Sequence, residues 1–166
     1  MLKAFTSAGE AAVRLTHNAA ALLLAIATLL VFVQVVTRFV LGDAAVWSEL
    51  VARGAIIWST FLVAGAAFRA GTMIPIDFIR SLLPAPIQLW VVRLVTLLTL
   101  IFLGVLVWYG ILMAGRAQGQ RVAMLDVSMA VFYAAIPFGA LCAIPGVLLR
   151  HRDAERGSLH DEEIHE

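Results

Sequence analysis

Charge is what this sequence has least of. Lys, Arg, Asp and Glu make up 14% of its 166 residues, while 62% are hydrophobic and the mean hydropathy is +0.96. A water-soluble domain carries roughly 25% charged residues. The deficit excludes an ordinary soluble fold and calls for lipid as the solvent. A net charge of +1 offers no basic surface, so nucleic acid is not an expected partner.

Cys142 is the single cysteine. It excludes an intramolecular disulfide, a thiolate metal site and a thiol oxidoreductase working through cysteine pairs, and reads as a small apolar residue within a helix. Histidine is absent from the interior of every long apolar run: His17 stands at an edge, and His151, His160 and His165 lie near the C-terminus. Bis-histidine haem ligation inside a bundle is thereby excluded. No Asp or Glu falls mid-run to relay protons, and no Gly-rich loop is present to cradle phosphates. No catalytic residue, cofactor or metal is expected.

What is present is a series of long apolar runs. About 20 such residues span a bilayer, and four segments qualify, at 18–41, 46–69, 88–114 and 127–149. Their continuous apolarity, rather than alternation with period two, selects helices over a barrel. The first run follows Lys3 and Arg14 as a signal peptide would, but it outlasts the usual 7–15 apolar residues and no small-x-small site follows, so it reads as a retained anchor. The expected fold is an all-α integral membrane protein with one four-helix transmembrane domain over 1–149. Residues 150–166 form a polar, disordered tail.

The connections set the topology. The turn at 42–45 makes the first two helices a hairpin, with Asp43 as a fitting N-cap. Gly71 suits a helix C-terminus. Beyond Pro75, Ile76, Ile79 and Leu83 share a helical face, which predicts an amphipathic interfacial helix over 75–83; a polar loop is the alternative. If the N-terminus is cytoplasmic, that side holds Lys3, Arg14, Arg69, Arg80, Arg93, Arg150, Arg152 and Arg156. The other holds at most Arg38, Arg53, Arg116 and Arg121. Both termini are therefore predicted to be cytoplasmic.

Charges near the hydrocarbon need partners. Gln34 and Arg38 share a face of the first helix, and Glu49 and Arg53 share one of the second. The hairpin predicts that Glu49 pairs with Arg38, Arg53 or both, leaving one positive charge for Asp43, lipid phosphates or another subunit. The alternative is that both arginines snorkel outward. Trp47, Trp90, Trp108 and Tyr109 suit interfacial belts, whereas Trp58 is mid-span and is expected to pack on another helix. Ala135, Gly139 and Ala143 form a small-residue stripe, crossed by Pro137, that allows close helix approach either within the bundle or to a partner.

One set of residues resembles a known family. Arg38-Phe39-Val40-Leu41, then Trp47-Ser48-Glu49, Arg53, Trp58, Phe61 and Gly65, then Arg69, Gly71, Ile74 and Asp77, is similar to the small membrane subunit (DctQ-like) of tripartite ATP-independent periplasmic (TRAP) transporters. Ser128, Tyr133, Ile136, Pro137 and Gly139 resemble that family's last helix. Leu50, Met73 and Phe132 depart from it, where a second acid, a histidine and a tryptophan are common. The resemblance implies a multi-pass subunit of the bacterial inner membrane, embedded among membrane lipids. It also implies a non-catalytic subunit that braces a large sodium-coupled membrane subunit and helps dock a periplasmic substrate-binding protein, for organic acids. Arg38, Trp47, Glu49, Arg53, Trp58, Gly65, Arg69, Asp77, Pro137 and Gly139 are then the expected structural or partner-contact residues. The alternative is an autonomous small oligomeric transporter or channel, which normally needs an acid deeper than Glu49.

Overall fold

A computed structural model describes residues 2–42, 46–70, 85–122 and 126–164. Helix α1 spans Leu2–Val36 and continues as a π-helical segment, Thr37–Leu41. Helix α2 spans Val46–Ala70 and α3 Ala85–Arg116. A two-stranded antiparallel ribbon follows, with β1 at Arg121–Val122 pairing β2 at Val127–Ser128. The fourth apolar run is divided into α4, Ala130–Tyr133, and α5, Ala135–Ile164. Among the described residues, four helices are long and apolar enough to cross a membrane, and the fold is all-α apart from the ribbon.

The helices do not close into a bundle. Helix α2 lies between α1 and α5, and α5 packs on α2 and α3, while among the described residues the backbone of α3 approaches neither α1 nor α2 closely. The order across the layer is therefore first, second, fourth, third. Helix α5 also reaches α1, and the fourth segment is the one whose backbone comes close to α3 among the described residues. Two broad apolar faces result. Leu94, Leu98, Ile101, Phe102 and Val105 on α3, and Leu22, Leu29 and Phe32 on α1, are all exposed.

Lipid tails are as apolar as leucine, so helices in a bilayer associate through close packing of small residues. The buried positions follow that rule. Ala27 of α1 packs with Ala52 and Ala55 of α2, and Ser48 and Ser59 extend the same α2 stripe. A second cluster joins Leu103 of α3 to Ala140, Ala143 and Val147 of α5, flanked by Ala64 and Phe68 of α2. Hydroxyl groups in the spans bond within their own helix: Thr28 and Thr60 donate to the Leu24 and Ile56 carbonyls at 2.9 Å. Thr99 does the same to Val95 at 2.8 Å.

Several expectations are corrected. Helix α1 starts at Leu2 rather than near residue 18, because the preceding segment, with Ala4, Ala8, Ala11 and Ala12, holds no proline to stop it. At about 1.5 Å per residue its 35 residues reach roughly 52 Å, well beyond a hydrocarbon core of about 30 Å. The fourth span starts at Ala130, since 127–128 belong to the ribbon. The tail is not disordered from residue 150. Helix α5 runs on to Ile164, and its residues 151–155 are tied to α2 and α3 by ion pairs described below. Asp43, Gly71, Asp77 and the interfacial helix expected over 75–83 lie outside the described residues.

Candidate functional site

Three constellations hold the residues singled out in the sequence. At the hairpin end of the layer, Arg53 Nη2 lies 2.8 Å from Glu49 Oε1, one turn apart on α2. Gln34 of α1 donates its amide N–H to Glu49 Oε2 at 3.3 Å. The first-helix partner of Glu49 is therefore Gln34 and not Arg38. The α-helical register that would align 34 with 38 ends at Val36, where the π segment begins. Arg38 is exposed in that segment and has no ion-pair partner among the described residues. Gly42 closes the segment with a φ of 71°, in the left-handed region that glycine adopts without strain. Trp47, next to the start of α2, is exposed.

The middle of the layer is the seam between α2 and the fourth span. Gly139 faces Phe61 so tightly that a Cβ there would stand 2.7 Å from the Phe61 carbonyl oxygen. Gly65 does the same to the Cys142 carbonyl oxygen at 2.8 Å, and Gly146 abuts Gly65. Ala135 and Ala143 are fully buried. The small-residue stripe thus serves packing within the chain. Trp58 packs across the same seam, as expected. Its indole N–H donates to the Val131 carbonyl at 3.1 Å, and its ring lies 5.8 Å from that of Phe138.

That bond falls beside the break between α4 and α5, whose cause is Pro137. Proline has no N–H for the carbonyl four residues back, here Tyr133, and its ring crowds that carbonyl. The break appears one residue later, at Ala134. Pro137 itself fits against Gly110 of α3, where a Cβ would meet the ring at 2.6 Å. Ser128 secures the entry to the span: its hydroxyl accepts the Ala130 N–H at 3.2 Å and donates to the Gln118 carbonyl at 3.1 Å. Asp126, with φ 49°, turns the ribbon and accepts from Arg121 at 2.6 Å.

The opposite end carries a charge cluster that sequence reading missed. Arg69, at the end of α2, contacts Asp153 of α5 at 2.5 Å and Glu10 of α1 at 3.7 Å. Arg93 of α3 reaches Glu155 at 3.0 Å, and His151 lies 3.5 Å from the same carboxylate and 2.9 Å from the Thr96 hydroxyl. One end of every long helix meets here, so the chain passes up and down four times with both termini at one end of the layer. The available signal was acidic residues within a tail otherwise read as solvent-exposed; their partners are distant in sequence. Among the described residues no group of three or more His, Cys, Asp or Glu could hold a metal ion.

The family model for tripartite ATP-independent periplasmic transporters, DctQ component, matches residues 10–151. No curated protein matches the chain.

Proposed function

Because the chain belongs to the DctQ-component family of tripartite ATP-independent periplasmic transporters, we propose that it is the small permease subunit of such a transporter. In that role it braces a large membrane subunit by a broad face of its helical layer. The observation that carries this reading is the open arrangement. In a closed bundle each helix would lie against two others, whereas the backbone of α3 here approaches only the fourth segment closely, which leaves more of its apolar circumference available to a neighbour. The hydroxyl-bearing side chains Thr28, Thr60 and Thr99 bond within their own helices, which suits a support better than a solute path.

The further assignments rest on the family. Transport without ATP needs an ion gradient, for which sodium is the expected coupling ion, and organic acids are the expected cargo. The exposed ribbon end, with Gln118, Gln120 and Arg121, would face the periplasm and offer part of the docking surface for a substrate-binding protein. Both termini would be cytoplasmic in the bacterial inner membrane, the orientation that the arginine distribution favours. The test is co-purification of the tagged chain with a large multi-span protein encoded beside it, followed by reconstitution. Uptake is expected only with the large subunit and the binding protein present. Solute uptake by liposomes holding this chain alone would refute the proposal.

A further inference from the structure

A short relay of polar contacts joins the projecting end of α5 to α3, and His151 stands at its centre. The ring Nδ1 lies 2.9 Å from the Thr96 hydroxyl oxygen. Its Nε2 lies 3.5 Å from Glu155 Oε1, one turn further along α5. The Thr96 hydroxyl donates to the Val92 carbonyl at 2.8 Å, as Thr28, Thr60 and Thr99 donate to carbonyls of their own helices. Glu155 Oε1 also accepts from Arg93 Nε at 3.0 Å. The imidazole is 23% exposed and the carboxylate 30%, so water competes only in part for these contacts.

Counting hydrogens decides which form of the ring fits. A hydroxyl carries one hydrogen, and that of Thr96 goes to Val92. The hydrogen between Thr96 and His151 must then come from Nδ1. In the neutral ring protonated there, Nε2 turns a lone pair toward the Glu155 carboxylate, which repels it. In the other neutral tautomer Nε2 can donate to Glu155, but Nδ1 then draws the Thr96 hydrogen away from Val92. The imidazolium, a donor at both nitrogens, keeps all three contacts.

We propose that His151 is a proton-dependent fastener between α5 and α3, closed when the ring is cationic. The neighbouring charges are otherwise engaged. Arg93 of α3 shares Glu155 with the ring, and Arg69 of α2 pairs with Asp153 and with Glu10 of α1. Glu10 also meets Arg14; His17 of α1 is exposed, and Arg150 and Arg152 flank the ring in sequence. Arg93 thus gives Glu155 a fixed attachment, to which the ring adds a variable one. Histidine is the side chain whose charge changes between about pH 5 and 8. The closed fastener holds a proton that the neutral ring lacks, so it tightens as pH falls and loosens as pH rises. Among the described residues the fourth segment is the one whose backbone comes close to α3. The grip on this end of α3 therefore follows the local proton concentration.

The inference stands apart from the transporter assignment and is tested on the full chain in detergent. Amide exchange over residues 150–155, corrected for its intrinsic rate, should quicken about two- to fivefold from about pH 6 to about pH 8, the scale of one partly exposed ion pair. The Gly65–Gly146 seam should not respond. His151→Gln should abolish the dependence. Thr96→Val removes the hydroxyl that forces the hydrogen onto Nδ1, so a neutral ring then suffices and the dependence should shrink; a plain histidine–glutamate pair would keep it whole. Independently of any variant, the ring ¹⁵N signals of His151 should show both nitrogens protonated while the end of α5 is protected. Equal exchange at both pH values would overturn the proposal. So would a dependence that survives His151→Gln or is undiminished in Thr96→Val, or a neutral ring in the protected state.

Discussion

Gly146 of α5 stands directly against the backbone of Gly65 of α2, where any Cβ would collide with the Gly65 carbonyl oxygen. The two helices are set at this distance because neither residue has a side chain. Gly146→Ala should therefore push the seam apart and lower stability by about 1–3 kcal/mol, the usual range for overpacking. Gly104→Ala on α3, where nothing lies within 4 Å, is the control and should leave the melting temperature in detergent unchanged or slightly raised.

Trp58→Phe keeps an aromatic ring beside Phe138 but removes the N–H that reaches Val131. A typical net loss for one hydrogen bond is about 0.5–1.5 kcal/mol. The melting temperature should fall, and fall further for Trp58→Ala, which also opens a void. A melting temperature for Trp58→Phe equal to that of the unsubstituted protein would show that the bond contributes nothing.

How much of this was legible in the residues differs from element to element. The four helices could be read from the length of their apolar runs, and Trp58 from its depth within one of them. The Glu49–Arg53 pair followed from helical spacing. Gln34 did not displace Arg38 in that reading because a π segment has no signature in apolar periodicity, and its start at Thr37 decides which side chain meets Glu49. The helical course of residues 150–155 was hidden for another reason. Polar composition alone reads as solvent-exposed, and only the fold brings Asp153 to Arg69 and Glu155 to Arg93.

A double-mutant cycle on Arg69 and Asp153 measures that second contact. Both side chains are partly open to water, and exposed pairs of this kind contribute about 0.2–1 kcal/mol. The coupling should lie in that range and shrink as salt is raised. Arg69→Ala should also speed amide exchange over residues 150–155 while leaving the Gly65–Gly146 seam protected.

Glu49→Ala removes the acceptor shared by Arg53 and Gln34. Loosening of the hairpin should lower the melting temperature by the equivalent of about 1 kcal/mol or less, since the pair is half open to its surroundings. An unchanged melting temperature would mean that the arginine is satisfied by lipid alone.

Sidedness is checked with single cysteines in a Cys142→Ala background. An impermeant maleimide added to intact spheroplasts should label Gln118→Cys, near the ribbon, and spare Arg152→Cys until the membrane is opened. The reverse pattern would invert the proposed orientation.

Helix α1 is too long for the bilayer alone, and its first turns travel beside the end of α5, where Glu10 and Asp153 share Arg69. The subunit is thus governed by two solvents at once. Shape complementarity among glycines and alanines holds the part surrounded by acyl chains and is indifferent to ionic strength; ionic attraction holds the part that projects into water. A rise in electrolyte should unfasten the projecting stalk first, while the portion in the membrane stays whole.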